Sequence, residues 1–328
     1  MKVLFIGGTG NISTSVSKLA LSRGVELFLL NRGVRKSEIS GAKNLIVDIH
    51  SPVIADVLKN HTWDVVVDWI AFTEQDVERD YQLFRGKTKQ YIFISSASAY
   101  QKPVTHPVIT ESTPLANPFW QYSRNKIVCE LKLNEYYRNE QFPITIVRPS
   151  HTYDTIIPFP IGGDYTIIDR LKRGKKIIVH GDGTSLWVVT HAEDFAKGFV
   201  GLLGNPHTIG HAFHITSDEV LTWNQIVESV ADAAGCQANV VHISSETLAS
   251  FDPDLRGGLI GDKACSVIFD NSKIKTFVPD FVATIPFHEG IKRTVKWFES
   301  DPQRMVVHQE TSKWIDSVIE KYERGLAH

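Results

Sequence analysis

The chain has 328 residues, of which 42% are hydrophobic and 22% are charged, as is typical of a soluble globular protein with a sizeable core. Its 35 basic and 37 acidic side chains nearly cancel, so no global field attracts nucleic acid or anionic lipid. Three widely separated cysteines exclude a disulfide scaffold and indicate a reducing compartment. The first apolar run is too short for a signal peptide, and no run is long enough to span a membrane, so we expect a cytoplasmic protein.

Short apolar runs alternate with helical patterns through the first half of the chain. The predicted strands are KVLFIGG, VELFLLN, NLIVDI, DVVVDWIAF, QYIFISS and ITIVRPS. The predicted helices between them are STSVSKLALSRG, PVIADVLKNH, EQDVERDYQLFRG and RNKIVCELKLNEYYRNE. Most of the strands are apolar at consecutive positions, which favours strands covered on both faces. This alternation predicts an α/β fold built on a doubly wound parallel Rossmann sheet.

After about residue 150 the pattern becomes less regular and predicts a smaller mixed α/β domain. Its predicted helices are TIIDRLKRGK, HAEDFAKGFVGLLG, TWNQIVESVADAAG and GIKRTVKWFES, and its predicted strands are KIIVHGDG and HAFHIT. We expect the two domains to be interleaved along the chain. The dinucleotide-binding domain is predicted at 1–150 plus about 186–220, and the substrate domain at 151–185 plus about 221–328.

A glycine-rich segment, FIGGTGNIS, follows the first strand and opens the first helix. Gly7 and Gly10 allow a tight turn and a close approach of the backbone to a pyrophosphate, which the helix N-terminus then attracts. Ser13 stands where a third glycine is usual, and we expect a slight displacement of the helix rather than loss of binding. The alternative is a strand-to-helix turn without a ligand.

The end of the second strand carries the information on cofactor type. A carboxylate there would bind the ribose 2′-hydroxyl of NAD, whereas an arginine accommodates the 2′-phosphate of NADP. This chain has Asn31 at the carboxylate position, followed by Arg32, Arg35 and Lys36. The pattern predicts NADP, with NAD as the alternative, and Arg35 and Lys36 could equally belong to a solvated loop.

A tyrosine and a lysine lie four residues apart in NPFWQYSRNKIVCE, so Tyr122 and Lys126 share one face of a predicted helix. An ammonium near a phenol favours the phenolate and so lowers the phenol's pKa toward a range useful for acid–base catalysis. Upstream, the strand in YIFISSASAY ends at Ser95 and Ser96, at the edge where open α/β sheets bind ligands. The serine hydroxyl can orient a substrate oxygen while the tyrosine moves its proton.

With these motifs in this order, the chain resembles the extended short-chain dehydrogenase/reductases, the NAD(P)-dependent epimerase/dehydratase family. The resemblance runs nearly the whole length and includes DI in IVDIH, WIA after the fourth strand, and PS in VRPS. It implies that Ser96, Tyr122 and Lys126 form the catalytic triad, with Tyr122 as acid and base. It also implies cofactor contacts at Gly7, Thr9, Gly10, Asn11, Ile12, Asn31, Arg32, Asp48, Ile49, Trp69, Ile70, Ala71, Lys126, Pro149 and Ser150.

Departures from the family pattern narrow the expected chemistry. Dehydratases of the family carry an Asp-Glu pair where this chain has Ala97 and Ser98, which cannot supply the additional acid and base that elimination requires. We therefore expect hydride transfer at a hydroxyl/keto carbon of a sugar or sugar-nucleotide-like substrate, by an epimerase or by an NADPH-dependent carbonyl reductase. Trp187 replaces part of an arginine-bearing segment, which weakens the prediction of a nucleotide sugar. The predicted substrate contacts are Ser98, His151 and Trp187.

Several features allow other interpretations. VVVDWIAF and SSASAY are most similar to a branch that includes chloroplast stem-loop-binding proteins, some of which bind RNA, so a non-catalytic RNA- or partner-binding relative is the alternative function. The basic run at 172–176 is interpreted as a solvated helix end, with contact to phosphate or RNA as the alternative. His207, His211 and His214 imitate metal-ligand spacing, but no metal site is predicted. Trp120 could cover the substrate pocket or pack between domains, and the family implies a homodimer.

Overall fold

The computed structural model describes residues 1–34 and 39–326. Arg35 and Lys36, which the sequence left open as contacts to a 2′-phosphate or as part of a solvated loop, lie outside the described residues. The strands of the described ranges are β1 (Lys2–Ile6), β2 (Glu26–Asn31), β3 (Lys43–Ile46), β4 (Val65–Asp68), β5 (Tyr91–Ile94), β6 (Val108–Ile109), β7 (Ile144–Pro149), β8 (His151–Tyr153), β9 (Lys176–His180), β10 (Leu186–Trp187), β11 (Val189–His191), β12 (Ala212–Ile215), β13 (Leu221–Thr222), β14 (Asn239–Ile243) and β15 (Ile268–Phe269).

The helices of the described ranges are α1 (Ser13–Ser22), α2 (Ile54–Leu58), α3 (Glu74–Phe84), α4 (Gln121–Glu140), α5 (Tyr165–Lys172), α6 (Ala192–Leu202), α7 (Trp223–Ala233), α8 (Ser245–Phe251), α9 (Leu255–Gly258), α10 (Ser272–Phe277), α11 (Phe287–Glu299) and α12 (Gln309–Leu326). A π-helical turn (Leu259–Lys263) directly follows α9. The sixteen elements predicted from sequence each correspond to one of these strands or helices. The helices α8, α9 and α12 and the short strands β6, β8, β10, β11, β13 and β14 were not predicted.

Seven of the described strands form one parallel sheet in the order β12-β7-β5-β4-β1-β2-β3. The consecutive apolar residues of β1, β4 and β5 are almost all fully buried, because helices cover both faces of the sheet. One apolar layer joins the sheet to α1 and α6, and the other joins it to α2, α3 and α4. The prediction of a doubly wound parallel Rossmann fold is confirmed.

The remaining strands pair in four small sheets: β8 with β11, β9 with β14, β6 with β15 and β10 with β13. A third apolar cluster packs these sheets against α5, α7, α11 and α12. The strand predicted from HAFHIT, β12, instead joins the large sheet beside β7, and α6 packs against α1. The second half of the chain therefore contributes both to the central sheet region and to the part of the molecule built from the four small sheets.

The basic run at 172–176 is neutralised by acidic side chains. Lys172 pairs with Glu299, Arg173 with Asp169, Lys175 with Asp316 and Lys176 with Glu323. Three of these pairs connect the end of α5 and the start of β9 to α11 or α12. These cations therefore contribute to packing between elements rather than forming an isolated positive patch.

The three histidines with metal-like spacing lie in different environments. His207 is in a short 3₁₀ turn, His211 is exposed, and His214 is buried in β12 with its Nδ1 3.0 Å from the hydroxyl of Tyr100. Across residues 1–34 and 39–326, no group of histidine, cysteine or acidic side chains is arranged to hold a metal ion. In the same part of the chain, no helix has the combined length and apolar character needed to cross a membrane.

Candidate active site

Two adjoining cavities lie at the carboxyl ends of the central strands. The larger has a volume of about 1200 Å³ and extends from the glycine turn after β1 to the start of α4. The smaller has a volume of about 280 Å³ and lies against the second half of the chain. Both are lined by Ser96, Tyr122, Pro149 and Ser150, so these residues stand where the two cavities meet. This is the edge at which an open parallel sheet binds its ligands.

The glycine turn forms one end of the larger cavity. Gly7 and Gly8 have φ angles of +93° and +99°, which side-chain-bearing residues rarely adopt. A Cβ on Gly8 would lie 2.7 Å from Leu29 Cδ2 in β2, so the turn also requires close packing against the sheet. Ser13, at the position of the usual third glycine, is buried, and its Oγ accepts a hydrogen bond of 2.8 Å from the N–H of Gly10. The serine thus closes the turn instead of disrupting it.

The end of β2 forms another wall of the larger cavity and carries no carboxylate. Asn31 Oδ1 accepts a hydrogen bond of 2.9 Å from the N–H of Gly33, and this contact fixes the turn that follows the strand. Arg32 is exposed and lines the cavity, as does Asp48, whose Oδ1 accepts the N–H of His50 at 3.0 Å.

All but one of the predicted cofactor contacts line the larger cavity. The residues brought together there are Gly7, Thr9, Gly10, Asn11, Ile12, Asn31, Arg32, Asp48, Ile49, Trp69, Ile70, Lys126, Pro149 and Ser150. Ala71 does not line the cavity, because its side chain is fully buried in the layer between the sheet and α3. Its carbonyl oxygen instead accepts a hydrogen bond of 2.6 Å from Lys126 Nζ. Phe72 also lines the cavity and was not predicted.

A chain of serine hydroxyls follows β5. Ser96 Oγ lies 2.8 Å from Ser98 Oγ, and Ser123 donates to Ser98 Oγ at 2.7 Å from the first turn of α4. Ser98, a predicted substrate contact, lines the smaller cavity, but its hydroxyl already links Ser96 to α4. Ser98 therefore fixes the rotamer of Ser96.

Tyr122 and Lys126 both border the larger cavity, with Lys126 Nζ 5.8 Å from the centre of the Tyr122 ring. Burial raises the pKa of Tyr122; the nearby hydroxyl of Ser96 opposes this rise, and the charge of Asp262 adds to it. This direction is opposite to the one predicted from sequence. Burial also lowers the pKa of Lys126 to about 8. The Lys126 ammonium donates to two carbonyls, Ala71 O at 2.6 Å and Ile94 O at 2.7 Å.

The position of α4 is fixed by a buried carboxylate one turn beyond Lys126. Glu130 accepts hydrogen bonds from Ser95 Oγ at 2.5 Å and from Arg148 Nε and Nη2 at 2.9 and 2.6 Å. Ser95 follows β5 and Arg148 lies in β7, so one carboxylate connects the helix to two adjacent strands. The Arg148–Glu130 pair is bidentate and almost fully buried, a geometry that holds both partners rigidly.

The smaller cavity contains the other predicted substrate residues. His151 and Trp187 line it, and Trp187 Nε1 donates to His151 Nδ1 at 3.4 Å. Burial lowers the pKa of His151 to about 3, so this imidazole is neutral near pH 7. Trp120 lines the same cavity with its ring centre 5.0 Å from that of Tyr122, and it also packs against Gly257 of α9. Trp120 therefore both borders the smaller cavity and contacts the second half of the chain.

Three charged residues of the smaller cavity were not predicted: Lys102, Asp262 and Lys263. Lys102 comes six residues after Ser96, whereas Asp262 and Lys263 belong to the π-helical turn after α9. Asn117 connects these regions, since its Nδ2 donates to Ser98 O at 2.8 Å and to Gly261 O at 2.7 Å. The sequence around the π-helical turn contains no recognisable motif, so only the folded chain reveals its position.

A family model described as the NAD dependent epimerase/dehydratase family matches residues 3–216. The chain belongs to this family. The match begins in β1 and ends just after β12, so it includes all strands of the central sheet and the triad predicted from the resemblance. The match supports an enzyme of this family, and the resemblance inferred from the sequence is confirmed.

Individual relatives are distant. The chain is 26% identical over 261 residues to the chloroplast stem-loop binding protein of 41 kDa b of Arabidopsis thaliana, covering 74% of this chain and 65% of that protein. It is 21% identical over 233 residues to a dTDP-D-glucose 4,6-dehydratase of Mus musculus, covering 66% of this chain and 58% of that protein. The chain thus matches less than two thirds of the length of these relatives.

Among solved structures, the fold is similar to that of dTDP-glucose 4,6-dehydratase from Bacillus anthracis in complex with NAD. The TM-score is 0.74 at 19% identity, and the superposition covers 92% of this chain and 98% of that one. The similarity therefore extends beyond the central sheet into the second half of the chain. At 19% identity, it is a similarity of fold.

Proposed function

We propose that the protein is an NAD(P)-dependent oxidoreductase or epimerase that acts at a hydroxyl/keto carbon of a sugar-like substrate. The observation that carries this proposal is the junction of the two cavities at Ser96 and Tyr122, with Lys126 on the dinucleotide side. A dinucleotide in the larger cavity and a small substrate in the smaller one would meet at the tyrosine. We further propose that residues 1–150 plus about 186–220 bind the dinucleotide and that the rest of the chain binds the substrate.

The larger cavity fits a dinucleotide. Its glycine turn leaves no room for a Cβ at Gly8, and the N-terminus of α1 favours a pyrophosphate. We propose NADP as the cofactor, since the end of β2 carries Asn31 and Arg32 and no carboxylate that would repel a 2′-phosphate. NAD is the alternative, and dissociation constants for NADPH and NADH separate the two. When bound, the nicotinamide supplies a donor and an acceptor of hydride.

The residues around Tyr122 have complementary tasks in this proposal. Because burial raises its pKa, Tyr122 is protonated near pH 7 and is suited to donate its proton to a keto oxygen. Ser96, held by Ser98, orients that oxygen. Lys126 holds the ribose and adds positive charge beside the phenol when Tyr122 takes the proton back. The neutral His151 lies on the substrate side and can hydrogen-bond a hydroxyl group.

Elimination of water is not part of the proposed reaction. The positions that carry an acid–base pair in dehydratases are Ala97 and Ser98 here, and the Ser98 hydroxyl is engaged in two hydrogen bonds with other serines. We therefore propose hydride transfer without dehydration.

The free thiols of Cys129, Cys236 and Cys265 agree with a cytoplasmic enzyme, which is the location we propose.

The decisive experiment replaces the tyrosine. Tyr122→Phe removes the hydroxyl and keeps the ring, so we expect kcat to fall by about 10²–10⁴-fold with little change in dinucleotide affinity. Turnover is measured on the substrate identified by mass spectrometry of the small molecules that the purified protein releases on denaturation. Tyr137→Phe, on the same helix but outside both cavities, is the control. Turnover of Tyr122→Phe within a fewfold of wild type would contradict the mechanism.

Cofactor retention separates the two reaction types within this proposal. An epimerase regenerates its cofactor in each cycle and retains it during purification, whereas a reductase exchanges it in each cycle. The same mass spectrum therefore answers this question: a stoichiometric dinucleotide indicates an epimerase, and its absence after dialysis indicates a carbonyl reductase.

A second candidate function is RNA binding, which the similarity to the chloroplast stem-loop binding protein favours. The ion pairs of the basic run at 172–176 weigh against that run as the contact surface. RNA affinity that decreases steeply with salt, without turnover of any carbonyl compound, would support this function over the first.

A further inference from the structure

One charged side chain of the smaller cavity has no evident structural role. Lys102 is only 4% exposed and lines the cavity. Within residues 1–34 and 39–326 its ammonium has no hydrogen-bond or ion-pair partner, and only its backbone N–H is engaged, with Ala116 O at 2.7 Å. The side chain is mostly buried and its end opens into the cavity, so an ammonium without a protein partner at this wall points to a ligand.

The charges around Lys102 do not balance. Lys263 and Asp262 line the same cavity, so two ammonium groups face one carboxylate. Burial raises the pKa of Asp262, while the charges of Lys263 and Lys102 oppose this rise, which places all three groups within electrostatic reach of one another. Lys263 is partly satisfied, since its Nζ donates to Gly258 O at 3.3 Å. Lys102 is thus the ammonium of this cavity that has no hydrogen-bond acceptor among the described residues.

The size and the walls of the cavity limit its occupant. Its volume of about 280 Å³ is at the lower end of the range for small-molecule sites, which is roughly 300–1,000 Å³. Trp120 and Phe269 supply apolar surface, and Ser96 and Tyr122 mark the position of the reacting oxygen. A monosaccharide matches these dimensions better than a sugar joined to a nucleoside diphosphate.

We propose that Lys102 is a specificity-determining residue that binds a carboxylate or phosphate group on a substrate of monosaccharide size. This inference rests on the proposed function, since it assigns the substrate class of the same site. The anion lies at Lys102 while the hydroxyl or keto carbon lies at Ser96 and Tyr122. The excess of positive charge favours an anionic group over a neutral sugar.

The test uses the full chain saturated with the dinucleotide that it retains or binds best. Binding of D-glucuronate, D-glucose 6-phosphate and D-glucose is measured by the fluorescence of Trp120 and Trp187. We expect wild type to bind at least one anionic probe about tenfold more tightly than glucose. Lys102→Met should abolish this preference without changing the affinity for glucose, and Lys102→Arg should keep most of it. The two anionic probes distinguish carboxylate from phosphate.

A stability measurement distinguishes ligand recognition from a structural role. Methionine has a similar length without the charge, so Lys102→Met should raise Tm by about 2 °C in the absence of substrate. A structural lysine would lower Tm on replacement. Lys59→Met, on the exposed surface of the chain beyond α2, is the matched control and should change neither affinity nor Tm by a measurable amount.

Several outcomes would overturn the inference. These are equal affinity of wild type for anionic and neutral probes, no anionic binding at millimolar concentrations, equal weakening of all probes by Lys102→Met, and a fall in Tm for that variant. Because binding is measured without turnover, these outcomes are independent of the Tyr122→Phe result. Tight anion binding by an enzyme in which Tyr122→Phe remains active would reject the mechanism and keep the role of Lys102.

Discussion

The ammonium of Lys126 carries three hydrogens, and two of them are bound by the carbonyls of Ala71 and Ile94. One donor is therefore left for a ligand in the larger cavity. Burial lowers the pKa of Lys126 to about 8, although the charges of Asp68, Asp76 and Glu130 act in the opposite direction. Above that pH the neutral amine has only two hydrogens, and both are used within the protein.

Dinucleotide affinity should therefore depend on pH. We expect the dissociation constant of NADPH to increase by about tenfold between pH 7 and pH 9.5, since a hydrogen bond to a charged group is lost. The measurement is a titration of NADPH fluorescence at both pH values. Lys126→Met, which has no ionisable group, should bind weakly at both. Equal affinities of wild type at the two pH values would contradict this account of the lysine.

At the level of single residues, the sequence predicted where the side chains lie better than it predicted their pKa values. The spacing of Tyr122 and Lys126 places both on one face of α4, because helix geometry is local. The direction of the Tyr122 pKa depends on how much water the fold excludes and on Asp262, which is 140 positions away in the sequence. Lys102 and Asp262 were not predicted for the same reason, since long-range packing brings them to the cavity.

At the level of elements, the glycine turn after β1 is a tightly constrained part of the site. Gly8 and Gly86 both have positive φ, at +99° and +69°, but they differ in their surroundings. A Cβ at Gly8 would clash with Leu29, whereas one at Gly86 would meet nothing within 4 Å. Replacing both glycines by alanine therefore distinguishes the cost of backbone strain, which the two share, from the cost of steric overlap, which arises only at Gly8.

Gly8→Ala should lower the free energy of unfolding by about 2–4 kcal/mol, whereas Gly86→Ala should cost about 1 kcal/mol. Both free energies are measured by urea unfolding. The overlap would displace the turn from β2, so we also expect Gly8→Ala to weaken dinucleotide binding, and Gly86→Ala to leave it unchanged. Equal losses of stability in both variants would show that the contact with Leu29 is not rigid.

Strands and helices were predictable where their patterns were strong. The consecutive apolar runs that became β1, β2, β4, β5 and β7 could be read directly, because burial on both faces leaves no alternation. The start of α3 follows from Thr73 and Asp76, which form a reciprocal capping box. The π-helical turn was missed because π-helical geometry has no simple sequence pattern. The helix α12 was also missed, although Ile315, Val318, Ile319 and Tyr322 recur at helical spacing and face the cluster around α5 and β9.

At the level of the whole molecule, α4 presents apolar side chains outward, on the side away from Tyr122 and Lys126. Leu131 is 63% exposed and Val128 is 40% exposed, and residues three apart share a helix face. We propose that this face forms a homodimer contact, as the family resemblance implies.

Leu131→Glu should therefore convert a dimer into a monomer, because it places a charge in the centre of an apolar contact. Light scattering coupled to size exclusion gives the mass. Val282→Glu, at a residue that is 55% exposed and distant in sequence, is the control and should remain dimeric. A monomeric wild type, or a Leu131→Glu variant that stays dimeric, would reject this contact.

The amide of Asn117 ties two distant parts of the chain to each other. It donates to the carbonyl of Ser98 and to that of Gly261, next to Asp262. Any ligand that moves the π-helical turn must therefore strain, through this amide, the loop that holds Ser96. The π-helical turn and the loop of Ser96 are therefore coupled through one side chain. Under the proposed mechanism, a poorly fitting substrate should lower the rate as well as the affinity.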